Sequence, residues 1–211
     1  LYNQTGGKAI NPTPVVAMMG VMDDVTRRTP SGWAPEHDGQ AIYLLGTTRD
    51  ELDGSEWARF KGHLGGQPPK VDLALERQLG DMLVNMSRDG MIAAHDVSAG
   101  GLAAALSEAC LRFNTGARIG LGEVAERDGL DLFTLLFSES LGRVVVSVPR
   151  SEEVRFKDMC TARQFPFARI GVVDAASNAL DFQDEVSIDL DELRVAHEGT
   201  LASYFGEVAK G

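Results

Sequence analysis

Cysteine is scarce in this chain: only Cys110 and Cys160 occur in 211 residues, far apart in sequence. That excludes a disulfide framework and any thiolate metal cluster built on close spacing, and both thiols read as interior residues. The four histidines, His37, His63, His95 and His197, are just as scattered. No zinc-type site is legible from their spacing. Long apolar runs are missing too, since none approaches the ~20 residues that cross a bilayer. The opening Leu1-Tyr2-Asn3-Gln4 also lacks the basic-then-apolar layout of a signal peptide, so the expectation is a cytoplasmic protein with no membrane partner. Cations are outnumbered, 20 Lys and Arg against 31 Asp and Glu, for a formal net charge of −11. Such a field opposes nucleic acid. A small phosphate ligand would have to be met by helix N-termini, a magnesium ion or a partner's cations. The G-x-x-x-x-G-K-[ST] loop, the G-x-G-x-x-G fingerprint and the G-x-S-x-G elbow are all absent, and no acid/base pair can be assigned from spacing. No catalytic residue is therefore named.

What is present is an ordinary globular composition, 44% hydrophobic and 24% charged, at a length that suits one large domain. The chain starts without Met in a polar, turn-rich stretch, and the expectation is a piece of something longer. Residues 1–14 read as an irregular connector because Pro12 and Pro14 fix φ and remove donors. Val15–Val21 and Ala41–Gly46 are apolar runs of strand length. Ser55 is placed to cap a short helix starting near Glu56, and His63–Lys70 reads as loop. From Val71, the residues Leu75, Leu79, Met82, Leu83 and Met86 recur at spacings of three and four, predicting an amphipathic helix that ends near Gly90.

Met91–Val97 reads as strand and Gly100–Phe113 as helix. Ala117–Leu121 reads as a short strand, Leu130–Phe137 as a helical turn region, and Arg143–Val148 as a β-branched buried strand stopped by Pro149. A helix is expected over Ser151–Arg163, paired strands over Phe167–Val173 and Leu180–Ile188, and a terminal helix over Leu190–Phe205. The alternation predicts an α+β fold, a three-layer mixed sheet covered by helices.

Three stretches can carry chemistry, and each has a plainer reading beside it. In His95-Asp96-Val97-Ser98-Ala99-Gly100-Gly101 a carboxylate and a hydroxyl emerge where a strand ends, and two glycines let a ligand approach backbone N–H groups. Asp96 is the candidate metal ligand. The plainer reading has Ser98 capping the helix, Asp96 offsetting its positive end and the glycines permitting tight packing. In Phe137-Ser138-Glu139-Ser140-Leu141-Gly142-Arg143, Glu139 and the serines can bind ribose hydroxyls or an amide, or the stretch is a polar turn with Arg143 paired locally. Gly54-Ser55-Glu56-Trp57 is an anion-binding helix start or a plain N-cap beside a packed tryptophan.

Taken in order, LYNQTGGKAINPTPVV, DGSEW, AAHDVSAGGLAAAL, LFSESLGRVVVSV and VAHEGTLASYF resemble the last quarter of the synthetase subunit of the phosphoribosylformylglycinamidine synthase family, within the AIR-synthetase-like superfamily. The resemblance implies a C-terminal α/β domain of the second of two tandem halves. Residues 1–14 would be the end of a preceding nucleotide-binding domain and linker, and residues 15–211 the domain itself. It implies membership of an ATP- and magnesium-using ligase that joins formylglycinamide ribonucleotide to glutamine-derived ammonia. The partners would be the remaining domains of the same chain, a glutaminase subunit and a small accessory subunit.

The family's Gly-Asn-x-Ser stretch would lie just before Leu1, and its catalytic histidines belong to another domain, so the fragment alone is expected to be inactive. The cofactor-binding candidates implied are Asp96, Ser98, Gly100, Gly101, Glu139 and Ser140, with Asp96 also the metal candidate, bordering a non-catalytic nucleotide site. Leu141 stands where the first half carries Gln, and Ala99 where relatives carry Asp. Both changes imply weaker ligand contact. The alternatives are an autonomous nucleotide-binding regulatory module, or another superfamily enzyme such as AIR synthetase, selenophosphate synthetase or thiamine-monophosphate kinase.

Overall fold

The computed structural model of the chain describes residues 3–11, 14–88, 90–183 and 185–205. Leu1, Tyr2, Pro12 and Thr13, quoted in the resemblance above, lie outside them. The expected connector contains a small hairpin: β1 (Gln4–Thr5) pairs antiparallel with β2 (Lys8–Ala9). The expected strand at Val15–Val21 does not form. Val15 is 93% exposed and Met19 97%, and the segment is hydrogen-bonded into no sheet. An apolar, β-branched stretch becomes a strand only against a neighbouring edge and a face to pack on, and no described residue offers either.

The core is built on β3 (Ala41–Leu45), in which every residue is buried. Ala41, Tyr43 and Leu45 point into one apolar cluster, while Ile42 and Leu44 point into the other. That two-sided burial follows from the period of two along a strand and demands cover on both faces. Antiparallel neighbours flank it, β6 (Val144–Val148) on one side and β7 (Phe167–Asp174) on the other, with a bulge between Ile42 and Tyr43 against β7. With β4 (Ala93–Asp96), β5 (Gly116–Ile119), β8 (Ala179–Phe182) and β9 (Val186–Asp189) the sheet has seven strands in the order β4-β6-β3-β7-β5-β8-β9. All pairs are antiparallel except β5 with β8. The expected direct pairing of the last two long strands is wrong: β5 lies between β7 and β8, and Leu180–Ile188 is itself split into β8 and β9.

Helices α1 (Glu56–Lys61), α2 (Leu73–Arg88), α3 (Gly101–Leu111), α4 (Gly122–Asp128), α5 (Leu132–Phe137), α6 (Glu153–Ala162) and α7 (Leu190–Phe205) complete the fold. Leu79, Met82 and Met86 of α2 join Phe156 and Cys160 of α6 over one face. Leu102, Leu106 and Cys110 of α3, Val124 of α4, Leu135 of α5 and Leu190 of α7 cover the other. The result is the expected three-layer α+β arrangement. The helix α4 was not expected, because only Val124 of its residues is buried and the sequence shows no apolar stripe there. Asp72 starts α2 by accepting from the N–H groups of Ala74 and Leu75, each at 3.0 Å, a side-chain cap of the usual kind. Both cysteines are buried free thiols, pushed up to about 12 by burial.

One polar link crosses the α2/α6 layer. The hydroxyl of Tyr43, itself buried, donates to Glu153 Oε1 of α6 at 2.5 Å. The same bond holds the Glu153 carboxyl below its ordinary value of 4.5, so its contribution is present above that value and fades as pH falls through the lower folded value. Tyr43→Phe is expected to cost about 1–3 kcal/mol in urea unfolding at about pH 7 and much less at about pH 3. An equal loss at both pH values would mean that the hydroxyl contributes through packing alone.

Candidate functional site

The three stretches singled out in the sequence, 39 to 83 residues apart, meet at one carboxylate. Glu139 Oε1 accepts from the Gly100 N–H at 2.8 Å and from the Glu56 N–H at 2.7 Å. It thereby sits at the starts of both α3 and α1, where unpaired donors and the helix dipole favour negative charge. The expected cap by Ser98 is not what forms. Gly100 is the N-cap of α3, in the left-handed region, with no side-chain cap of its own, and Ser98 contributes only its carbonyl, which accepts from the Gly101 N–H at 3.0 Å. At α1 the plain reading holds: Ser55 Oγ accepts from the Ala58 N–H at 3.1 Å, and Trp57 packs edge-on against Phe133 at 5.2 Å.

Gly101 explains why this turn needs glycine. Its φ is +67°, and a Cβ there would lie 2.6 Å from the Leu136 carbonyl oxygen and 2.7 Å from that of Ser138. The backbone of α3 is thus pressed onto the α5–β6 turn, in a conformation and a space that exclude any side chain.

Beneath this junction lies Arg143, 2% exposed. Its Nε donates to the Ser140 carbonyl at 2.8 Å, one terminal nitrogen to the Ser138 carbonyl at 2.7 Å, and the other to Thr48 Oγ1, 95 residues away, at 3.1 Å. Burial pulls the guanidinium down to about 10, while Glu51 and Asp128 oppose that pull, so it remains charged at neutral pH. The pairing is local, as the plain reading had it, and also long-range. Ser140 Oγ accepts from the Arg49 N–H at 3.0 Å, and Ser138 Oγ donates to the Arg49 carbonyl at 2.6 Å. Asp128 Oδ2 accepts from the Thr48 N–H at 2.9 Å. The loop after β3 is therefore sewn to the Ser138–Arg143 turn, and that loop delivers Gly54-Ser55-Glu56.

Thr48, Arg49, Glu51 and Asp128 were not singled out from the sequence. For Thr48, Arg49 and Glu51 the signal available was a run of polar and charged residues leaving the C-terminal end of a fully buried strand; Asp128, the last residue of α4, carried none. Glu51 is 5% exposed, and its Oε2 is the buried side-chain oxygen without a hydrogen-bond partner among the described residues; its Oε1 accepts from the Lys70 N–H at 3.0 Å.

Asp96 and Ser98 stand apart from this network. The Asp96 side chain is 75% exposed at the end of β4, with its nearest ionic neighbour, His95 Nδ1, at 3.9 Å. Both residues line a cavity of about 300 Å³ with Glu76, Leu79, Leu83 and Leu141. Among the described residues no group of three or more His, Cys, Asp or Glu side chains is placed to hold a metal ion. Asp96 thus brings one carboxylate and no ligand set, and magnesium does not fit on this chain's residues alone. Gly101, Glu139 and Ser140 are held by backbone packing or by protein partners, so of the candidates it is Asp96 and Ser98 whose side chains face open space.

Replacing Arg143 with Met is expected to destabilise the fold by about 3–5 kcal/mol, because two carbonyls, a hydroxyl and the Glu51 carboxylate lose their compensating charge together. Arg143→Lys should recover less than half of that, since an ammonium lacks the planar fork. Denaturant unfolding of the three proteins checks both values. A loss below about 1 kcal/mol for the Met variant would show that the network is dispensable.

A sequence model described as "AIR synthase related protein, C-terminal domain" matches residues 37–181. Over 207 residues the chain is 68% identical to the phosphoribosylformylglycinamidine synthase subunit PurL of Renibacterium salmoninarum, covering 98% of this chain and 27% of that protein. The chain thus spans about a quarter of the length of the curated relatives it matches. Among solved structures, Thermotoga maritima PurL complexed with FGAR superposes with a TM-score of 0.67 at 21% identity, covering 80% of this chain and 30% of that one. The structure of PurLQS from the same organism gives 0.62 at 20%, covering 80% and 28%. At those identities the structural likeness speaks for the fold, and it agrees with the mixed sheet and helix layers described above. Matched by the sequence model over more than half its length, the chain belongs to the AIR synthase related family, as a C-terminal domain.

Proposed function

We propose that this domain is the C-terminal part of the synthetase subunit of a phosphoribosylformylglycinamidine synthase. That enzyme would convert formylglycinamide ribonucleotide, glutamine-derived ammonia and ATP into formylglycinamidine ribonucleotide, ADP and phosphate in purine biosynthesis. The observation that carries the reading is the 68% identity to a PurL subunit across 98% of the chain, sustained at 54% against the Leifsonia xyli subunit. In such a reaction ATP phosphorylates the amide oxygen, and ammonia then displaces phosphate from that carbon. No residue of this chain is assigned to either step. Residues 1–14 are read as the end of a preceding nucleotide-binding domain and its linker.

Within that enzyme the domain's part is support. Arg143, Ser138, Ser140 and Glu139 hold the turns rigid, and Asp96, Ser98 and the Gly100 turn form one wall of an auxiliary nucleotide site completed by other domains. Magnesium there would take Asp96 as one ligand among donors from elsewhere, and its chemistry would be to screen phosphate charge. The glutaminase subunit and the small accessory subunit would supply ammonia and assembly, in the cytoplasm.

The test is ammonia-dependent formation of formylglycinamidine ribonucleotide by the complete synthetase chain containing this domain; no product would overturn the reading. The site assignment has its own test in calorimetric titration with ADP and magnesium. The complete chain should bind, this 211-residue chain alone should not, and Asp96→Asn in the complete chain should weaken binding at least about tenfold. Its unfolding should be unchanged, because the Asp96 carboxylate is exposed and caps nothing. Binding by the short chain would favour an autonomous nucleotide module instead.

A further inference from the structure

The longest exposed apolar stretch among the described residues lies ahead of the folded body. Val15, Val16, Met18, Met19 and Val21 are each 82% exposed or more. In an extended chain successive side chains point to opposite sides, so Val15, Ala17, Met19 and Val21 make one apolar face, and Val16, Met18 and Met22 make the other. Neither face carries a charge. A strand that is apolar on both faces belongs inside a sheet covered from two sides, as β3 is within this domain. A surface strand would alternate with polar residues. Left open, such a run pairs readily with other chains, because nothing in it interrupts strand formation.

The domain takes hold of its chain only later. Among the described residues, every hydrogen bond made by residues 15–28 stays within that stretch: Asp24 caps the single turn Val25–Arg27, accepting from the Thr26 N–H at 3.0 Å. Anchoring begins at Pro30, whose carbonyl accepts from the Ala94 N–H of β4 at 2.9 Å. Trp33 follows, buried, with its N–H donating to the Ala109 carbonyl of α3 at 3.0 Å. The match to the family's C-terminal domain starts later still, at residue 37. Residues 15–22 thus lie outside the domain both by bonding and by family boundary. The chain also spans only 27% of the Renibacterium relative, which leaves most of that polypeptide to supply a cover.

We infer that residues 15–22 are a strand of the preceding nucleotide-binding domain, buried on both faces inside that domain's sheet. This rests on the reading of the chain as the last part of a longer synthetase, and it moves the boundary between the two domains from residue 14 to the stretch 23–29. The cover is the same polypeptide and not a separate subunit or a second copy. A run so apolar needs its cover as soon as it is made, and a domain joined to it through residues 1–14 is held beside it at high effective concentration. The strand then has a mechanical role. It continues through the Asp24 turn to Pro30, which is bonded to the edge of β4, and β4 ends at Asp96. The preceding domain is thereby tied to the strand that carries the carboxylate of the proposed nucleotide-site wall.

The experiment uses the complete synthetase chain, dilute and without accessory subunits. Met18 and Met19 point to opposite faces of the strand, so peroxide oxidation resolved residue by residue in fragmentation mass spectrometry reports on the two faces separately. Both should oxidise at least about tenfold more slowly than in the urea-unfolded chain. The amides of residues 15–21 should exchange at least about a hundredfold more slowly than in an unstructured peptide. Protection of only one methionine would overturn the inference, because the cover would then lie on one face. Protection that appears only when an accessory subunit is added, or only at concentrations where sedimentation velocity finds self-association, would overturn it in favour of a cover in trans. Oxidation and exchange at the unfolded rates under all these conditions would overturn it outright. Failure of the underlying reading is separately visible, as absence of ammonia-dependent synthesis by the same chain.

Discussion

A single buried guanidinium sets the conditions for everything around the candidate site. Arg143 leads into β6 from the turn after α5 and cannot be moved to water without pulling that strand from its place between β4 and β3. Its three bonded partners are two carbonyls of its own turn and a hydroxyl at the end of β3. A buried charge of this kind is tolerated only when its donors are met and opposing charge lies close, here Glu51 and Asp128. The requirement fixes two loops that are distant in sequence relative to one another. Once they are fixed, Ser138 and Ser140 complete the seam through Arg49, and Glu139 is left pointing at the two helix starts.

The use of Glu139 changes what those helix starts can do. A glycine turn opening a helix is a ready anion site, because its N–H groups have no intrahelical acceptor. In this domain the anion is supplied from within, as a carboxylate bonded to both starts at once. The arrangement links α1, α3 and the α5–β6 turn without any ligand. It also occupies two of the backbone donors, the Glu56 and Gly100 N–H groups, that a phosphate could otherwise take. The glycine-rich stretch thus serves packing first, as the Gly101 backbone pressed against the Leu136 and Ser138 carbonyls shows.

Much of this was legible in the sequence, and the failures have identifiable causes. Strands such as Ala41–Leu45 and Val144–Val148, buried on both faces, announce themselves as unbroken apolar runs. The helix Leu73–Arg88 is visible because Leu79, Met82 and Met86 repeat at helical spacing. Val15–Val21 carries the same kind of signal and forms no strand, because composition reports a wish for burial and not the presence of a partner. The order of the edge strands was equally out of reach. That β5 slips between β7 and β8 depends on long-range pairing, which local alternation does not encode. At the site, the motifs were found but their roles were reassigned, since a capping acceptor 39 residues away leaves no trace in the spacing around Ser98.

Charge decides what the open side of the site can accept. Glu76 and Asp96 line the same cavity as Ser98 and Leu141, and the one cation among its lining residues, Arg143, is buried and already bonded to carbonyls. A polyphosphate approaching that cavity would meet two carboxylates in a chain that is acidic as a whole, and would be repelled. Two carboxylates facing a phosphate become attractive only with a divalent cation between them, which each side can ligate and which cancels the repulsion. The same geometry explains why the domain cannot hold that cation alone, because a magnesium ion needs an octahedron of oxygens and the described residues offer no such cluster. Under the proposed function an acidic wall of this kind would work only when another surface brings the remaining ligands, and the rigidity conferred by Arg143 and Glu139 would keep the wall in register to meet it.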